Sequence, residues 1–297
     1  MLWGLYHFMK RWSENFLKSV CQPALIEDVE DLTPTCIGFD AKLKRLKANV
    51  ILSNFIDRDE FEDIVWDDMV GRSTEHRFLR KIQQGLDTMA STPMGKDILS
   101  NLYSSTYFGV APMEQAGRFF DRSCPMVFLR AEEDVFKNQT LVLKILVHEC
   151  THAKNVEMEN KVNACLLPPC LSFMKYMINE LSAYLSENIV LKQMKTPKIS
   201  DEQPTLDYVM DLCERLTDNK YVDEFADRVI EWHKQDILKP QTATFSDQNL
   251  KVFSYYFKTY PVLCNLAIID RLYQMYQGHV VRKARHQMKR TETRHTR

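Results

Sequence analysis

The sequence predicts a mostly helical protein of the α+β class, in which one small sheet precedes a long apolar helix. Helical periodicity dominates the 297 residues, which include only 8 glycines and 11 prolines. Two short apolar segments, Tyr107–Ala111 and residues 125–130, are the clearest strand candidates. A sustained helical pattern follows these strands from residue 138 to about residue 154.

The other helices follow from the same periodicity. Ser91-Thr92-Pro93 is expected to end one helix and start the next, because Thr or Ser can cap a helix and proline fits its first position. The predicted helices are residues 41–54, 74–90, 93–102, 138–154, 171–194, 204–216, 221–238, 247–260 and 262–289.

The length suits one compact domain with extensions at both ends. We expect an N-terminal helical extension (residues 1–70), a core (residues 71–195) and a C-terminal helical region with a basic tail (residues 196–297), which could all form one domain. The net charge of -1 excludes a global field that would attract nucleic acid. Eight cysteines without a C-x-x-C motif indicate a reducing compartment rather than a dense disulfide framework.

No apolar run approaches the length of a membrane span, and the apolar start of the chain precedes its first positive charges, unlike a secretory signal. Two segments could still touch a membrane surface. Residues 1–20 have apolar side chains at helical spacing, which predicts a docked helix or a helix lying on a membrane. Residues 280–297 contain seven Lys or Arg and one Glu, which predicts a solvated arm or contact with an acidic partner.

The helix predicted at residues 138–154 carries the motif H-E-x-x-H, formed by His148, Glu149 and His152. The histidines are four residues apart, so a helix places them on one face, where both imidazoles reach a single metal ion. Glu149 projects beside them, within reach of a water molecule on that metal. A carboxylate and two imidazoles are costly in so apolar a helix unless something uses them. The pattern therefore predicts a catalytic zinc site.

Catalytic zinc sites use three protein ligands and one open position, so a third ligand is expected downstream. The metzincin spacing would require a histidine six residues after His152, where this chain has Met158. Glu180 is the better candidate because it is a lone carboxylate on an apolar helix. Glu187 lies two turns further on the same face, and it is either the alternative ligand or the hydrogen-bond acceptor for a ligand histidine.

The motif, followed after a break by a helix with N-E-x-x-A-Y, resembles the gluzincin branch of the zincin metallopeptidases. The resemblance covers residues 126–187. It implies a zincin-like catalytic domain in which the two motif histidines and Glu180 bind one zinc ion. It also implies that Glu149 is the general base in the hydrolysis of peptide bonds in a protein substrate.

The chain departs from the gluzincin pattern after the third ligand. Gluzincins usually carry an acidic residue three or four positions later, where this chain has Ala183 and Tyr184. Glu187 is expected to substitute for that acidic residue.

The oxyanion that develops during hydrolysis needs a hydrogen-bond donor in addition to zinc. Tyr184 is the first candidate because it lies one turn after the expected third ligand, and His233, Tyr255 and Tyr256 are alternatives. The strand at residues 125–130 is expected to offer its edge to an extended peptide substrate.

The order of elements is also similar to that of metallopeptidase effectors which bacterial pathogens inject into host cells: two helices joined at residues 91–96, short strands, and then the motif. This resemblance implies secretion without a classical signal peptide and action in a host cytosol. A cytoplasmic location in the producing cell is the other expectation.

Two other functions stay open. The protein could be a binding or scaffolding protein with a structural or relic zinc site, although structural zinc sites usually use more cysteines and would leave Glu149 without a purpose. It could also be an injected toxin whose main activity lies near residues 251–277, where no catalytic constellation is recognisable.

Overall fold

The computed structural model describes residues 11, 13–18, 38–56, 72–121, 125–161, 167, 169–195, 204–232 and 247–283. Within these ranges the chain is mostly helical and contains one three-stranded sheet, which confirms the mostly α (α+β) fold class. The expectations for His233, for the apolar first ten residues and for the basic tail beyond residue 283 lie outside the described residues.

The elements follow the order predicted from the sequence, with a strand and a short helix added and the last helix divided. The helix predicted at residues 41–54 ends at Ala48, before a separate 3-10 turn. In chain order they are α1 (Phe39–Ala48), a 3-10 turn (Ser53–Phe55), α2 (Arg72–Ala90), α3 (Pro93–Ser100), β1 (Tyr107–Ala111), β2 (Gly117–Phe120), β3 (Met126–Arg130), α4 (Glu133–Lys137), α5 (Gln139–Lys161), α6 (Pro169–Lys195), α7 (Leu206–Thr217), α8 (Lys220–Trp232), α9 (Asp247–Thr259), a 3-10 turn (Pro261–Leu263), α10 (Leu266–Tyr276) and a π-helical turn (Gln277–Val281).

The chain forms two compact units, which we call the sheet unit (residues 32–160 and 183–202) and the helical unit (residues 1–31, 161–182 and 203–297). The division between residues 182 and 183 falls inside the continuous helix α6. The domain boundaries expected from the sequence stay a prediction. Helix α1 belongs to the sheet unit because Leu46 is buried in the same core cluster as Phe108 of β1.

The sheet has the strand order β1-β3-β2. β1 pairs with β3 in parallel, with Tyr107 opposite Met126, and β2 pairs with β3 in antiparallel, with Gly117 opposite Leu129. β3 is therefore the central strand, and the expectation that its edge receives a peptide is wrong. The sequence did not predict β2, which occupies that edge, because β2 has only four residues and begins with a glycine.

The two faces of the sheet bury different side chains. Val127 and Leu129 share one core cluster with Leu146 of α5. Phe120 and Phe128 lie in a separate cluster on the other face, where their rings meet edge to face at 5.4 Å between centroids. β3 is thus apolar on both faces, which explains why it reads as a continuous apolar run.

Helix α3 begins as the sequence predicts. The Thr92 hydroxyl oxygen accepts a hydrogen bond from the Gly95 backbone N–H at 3.1 Å, and Pro93 occupies the first helical turn. Helix α5, by contrast, continues to Lys161, seven residues beyond its predicted end. Burial sustains this extension, because Met158 is buried and the buried Lys154 ammonium contacts Asp97 Oδ2 at 2.5 Å.

Aromatic contacts hold the helical unit together. Phe16, in the helical residues 13–18, is fully buried and packs edge-on against Phe253 at 5.0 Å between ring centroids. Tyr176 and Phe225 stack at 4.0 Å. The long helix predicted at residues 262–289 is divided, and its α-helical part begins after Asn265, whose side chain accepts from the Ala267 N–H at 2.9 Å.

The described cysteines differ in state. Cys150, Cys170 and Cys213 are buried free thiols, whereas Cys264 is disulfide-bonded. The reducing compartment therefore stays a prediction. No helix within the described ranges combines the length and the apolar character that crossing a membrane requires.

Candidate metal centre

Helix α5 carries the motif residues and begins at a capped end. The Asn138 side-chain oxygen accepts hydrogen bonds from the backbone N–H groups of Thr140 at 2.9 Å and Leu141 at 3.3 Å. Ten residues after this cap, His148 and His152 project from the same face one turn apart, with their ring centroids 4.7 Å apart. Both histidines are half-buried, while most of their neighbours on α5 are buried.

Helix α6 presents a second half-buried stripe. Glu180, Tyr184 and Glu187 follow one another at helical spacing and are partly exposed, whereas Leu181 and Leu185 between them are fully buried. The three polar side chains therefore share a single face of a helix whose other faces lie in apolar surroundings.

Three possible ligand atoms converge between the helices. They are one ring nitrogen of His148, one ring nitrogen of His152 and one carboxylate oxygen of Glu180, and all three lie within 4.8 Å of one another. Ligands about 2.1 Å from a tetrahedral zinc ion are separated by about 3.4 Å, so small rotations of the side chains would complete the site. Two imidazoles and one carboxylate are a ligand set of catalytic zinc sites, and they leave the fourth position open for water. The residues present thus fit a zinc ion.

Glu187 contacts the Nδ1 atom of the His148 ring. Its Oε1 lies 2.7 Å from His148 Nδ1, and the two side chains are only 17% and 15% exposed. An ionised carboxylate only accepts hydrogen bonds, so Nδ1 is the donor in this contact. In a neutral imidazole with its proton on Nδ1, Nε2 is the nitrogen with a lone pair for a metal. Of the two roles that the sequence left open for Glu187, this contact favours the acceptor for a ligand histidine.

Tyr184 also touches His148. The two rings meet edge to face, with centroids 4.7 Å apart and planes at 74°. Its position one turn after Glu180 is the one expected of a hydrogen-bond donor at this site. Tyr255 and Tyr256, the described alternatives, are buried in α9, where their rings pack against each other at 5.3 Å.

Glu149 is buried, with 8% of its surface exposed. The start of β2 runs beside its carboxylate, because a Cβ atom built on Gly117 would lie 3.1 Å from Glu149 Oε1. Sequence reasoning missed this neighbour. The available signal was a single glycine just before an Arg-Phe-Phe segment, since a lone glycine in a strand often marks a close backbone approach.

Cys150, which follows Glu149 in the motif, is fully buried in the core of the sheet unit. Burial, and secondarily the neighbouring Glu149 carboxylate, raises the pKa of the Cys150 thiol well above its ordinary value. Metal ligation and nucleophilic attack both require the thiolate. Cys150 is therefore a protonated core residue.

Comparisons with models of protein families, with curated proteins and with solved structures found no match.

Proposed function

We propose that the protein is a zinc-dependent endopeptidase that hydrolyses peptide bonds of a protein substrate. The observation that carries this proposal is the convergence of His148, His152 and Glu180 beside Glu149. A structural zinc site would need only the ligands. The glutamate between the histidines, buried next to them, suits a general base.

When bound, zinc supplies the Lewis acidity that polarises the scissile carbonyl and acidifies a water molecule. The Glu149 carboxylate would take a proton from the attacking water as the water oxygen bonds to the carbonyl carbon, and it would deliver that proton to the amine nitrogen as the C–N bond breaks. The Tyr184 hydroxyl donates a hydrogen bond to the oxyanion. The Glu187 carboxylate would hold the His148 ring through Nδ1, which leaves Nε2 as the nitrogen that could bind the metal.

The outer edge of β2 is the place where an extended substrate would add as a further strand. Within the described residues β2 pairs only with β3, and its first residue lies against Glu149. Backbone hydrogen bonds to this edge would hold a peptide near the general base without demanding a particular side chain. The substrate sequence and the compartment of action stay predictions.

The proposal is tested by comparing the wild-type protein with Glu149→Gln and Glu180→Gln. We expect Glu149→Gln to keep its zinc and lose cleavage, because only the proton acceptor is removed. Glu180→Gln should lose zinc on dialysis. Zinc is measured by elemental analysis, and cleavage by mass spectrometry of new N-termini in a cell lysate.

Two results would point elsewhere. Cleavage that survives in Glu149→Gln contradicts the proposed base. A wild-type protein that holds zinc but generates no new N-termini, in lysates of the producing cell or of candidate hosts, would favour the binding or scaffolding alternative with a structural zinc site.

A further inference from the structure

The backbone of β2 approaches the motif helix closely at Gly117. A Cβ atom built there would lie 2.3 Å from Ile145 Cγ2, 3.0 Å from Glu149 Cγ and 3.1 Å from Glu149 Oε1. The first distance is shorter than any real carbon–carbon contact, and the other two are tighter than ordinary packing. Every side chain other than hydrogen at position 117 therefore meets both residues.

The two contacts have different consequences. Ile145 is a buried side chain of α5, one turn before Glu149, and it is fixed by the core. The Glu149 side chain has three rotatable bonds, and its carboxylate can turn away if the space beside it is filled. Filling position 117 thus displaces the group that must abstract a proton. The overlap with Ile145 has to be relieved separately, by a shift of that side chain or of β2, and the variants below separate the two effects.

We infer that Gly117 is a positioning residue, whose missing side chain leaves the space in which the Glu149 carboxylate is held for catalysis. This inference rests on the proposed function. The bare backbone of β2 acts as a wall on one side of the carboxylate, and α5 supplies the other side. A displacement of about 1 Å in a reacting group lowers catalysis by about 10²-fold.

Gly109 provides a matched control. It lies in β1 opposite Phe128, and a Cβ atom there would meet Ile56 at 3.2 Å and Phe128 at 3.3 Å. Gly109→Ala therefore crowds a strand glycine about as closely as Gly117→Ala crowds Glu149, but among apolar side chains on the opposite face of the sheet and without the overlap with Ile145. Ile145→Leu, combined with Gly117→Ala, offers a second control, because leucine has no Cγ2 and conserves volume.

The experiment compares Gly117→Ala, Gly109→Ala and the double variant Gly117→Ala/Ile145→Leu. We measure zinc content, thermal midpoint, and kcat and KM on a peptide spanning the cleavage site found in the lysate. Gly117→Ala should keep zinc and lose about 10²-fold in kcat with KM little changed. The double variant should regain stability without regaining kcat, because the contact with Glu149 persists.

A crystal structure of the zinc-loaded Gly117→Ala protein supplies the readout that is independent of activity. We expect the Glu149 carboxylate to be displaced while the rings of His148 and His152 keep their places. An undisplaced carboxylate would overturn the inference even if the wild-type protein cleaves peptides. If the wild-type protein cleaves nothing, the proposed function fails, and the displacement still decides whether Gly117 sets the position of this side chain.

Three kinetic or folding outcomes would also overturn the inference. In the first, Gly117→Ala loses no more activity than Gly109→Ala. In the second, the double variant recovers full kcat, which would assign the effect to Ile145 and a shift of the helix. In the third, neither variant at position 117 folds, which would make Gly117 a requirement of the sheet as a whole.

Discussion

Two histidines of this chain form nearly the same contact in different surroundings. In the sheet unit, His148 Nδ1 lies 2.7 Å from a carboxylate oxygen of Glu187. In the helical unit, His279 Nδ1 lies 2.7 Å from a carboxylate oxygen of Asp223. Both histidines are helical and mostly buried, so the histidine–carboxylate pair by itself does not distinguish a metal site from a structural contact.

The side chains around each histidine distinguish the two contacts. A second imidazole and a second carboxylate converge on the His148 side, at His152 and Glu180. Near His279 the next charged group is a cation, because Lys283 Nζ lies 3.2 Å from the same Asp223 oxygen. A lysine ammonium only donates hydrogen bonds and repels a metal ion. The convergence of additional ligand atoms, rather than one paired histidine, therefore distinguishes the candidate metal centre.

The largest expected effect is on zinc binding when each histidine is removed. His148→Ala should hold less than roughly a tenth of an equivalent of zinc after dialysis, because two ligands do not retain a catalytic zinc ion. His279→Ala should hold as much as the wild-type protein. Elemental analysis of both variants measures this. Equal zinc content in the two variants would contradict the proposal that His148, and not His279, binds the metal.

Tyr184→Phe should lower kcat by about 10²- to 10³-fold, the usual cost of removing one oxyanion donor, while zinc content stays unchanged. The phenyl ring preserves the edge-to-face packing on His148, so the ligand histidine keeps this neighbour. Steady-state kinetics on the cleavage-site peptide provides the measurement. An unchanged kcat would reduce Tyr184 to a packing residue.

Glu187→Gln should weaken zinc binding by about 10- to 100-fold without abolishing it, because the amide holds the His148 ring but no longer increases its basicity. Competition with a chelator of known affinity measures the change. Loss of all zinc here, together with zinc retained in Glu180→Gln, would exchange the roles assigned to the two glutamates.

The smallest effect concerns the pair in the helical unit. Burial raises the pKa of Asp223, but hydrogen bonds from His279 and Lys283 outweigh it and hold that pKa below its ordinary value. Burial lowers the pKa of Lys283, but its bonds to Asp223 and Asp227 raise it overall. A lowered carboxyl pKa stabilises the fold above pH 3.8 and ceases to do so as pH falls through the folded value.

Asp223→Asn should therefore lower the free energy of unfolding at pH 7 by about 1 kcal/mol or less, because Asp223 is 47% exposed and solvent screens the pair. The difference from the wild-type protein should shrink below pH 3.8, as the wild-type carboxyl takes up its proton. On the alkaline side it should shrink as Lys283 loses its proton. Denaturant unfolding at a series of pH values measures the stability difference on the acidic and the alkaline side. A stability difference that grows on acidification would contradict this account.

Much of the architecture was predictable from the sequence because it depends on local periodicity. The limits of β1 match the prediction, and α2, α7 and α9 lie within two residues of their predicted ends. Failures occurred where long-range contacts decide. β2 is too short to be recognised without its partner strand. Helix α5 extends beyond its predicted end because core packing and the contact of Lys154 with Asp97 stabilise its last turns.

The sequence by itself determined that His148 and His152 share a helical face with Glu149 between them, since a spacing of four residues on a helix leaves no other arrangement. It also nominated Glu180 as a lone carboxylate, although its role as a zinc ligand stays a prediction. Only the tertiary structure decided that Glu187 reaches the Nδ1 side of His148 and that Gly117 lies against Glu149. These relations join residues 32 or more positions apart, and the packing of helices and strands sets them, with no trace in local periodicity.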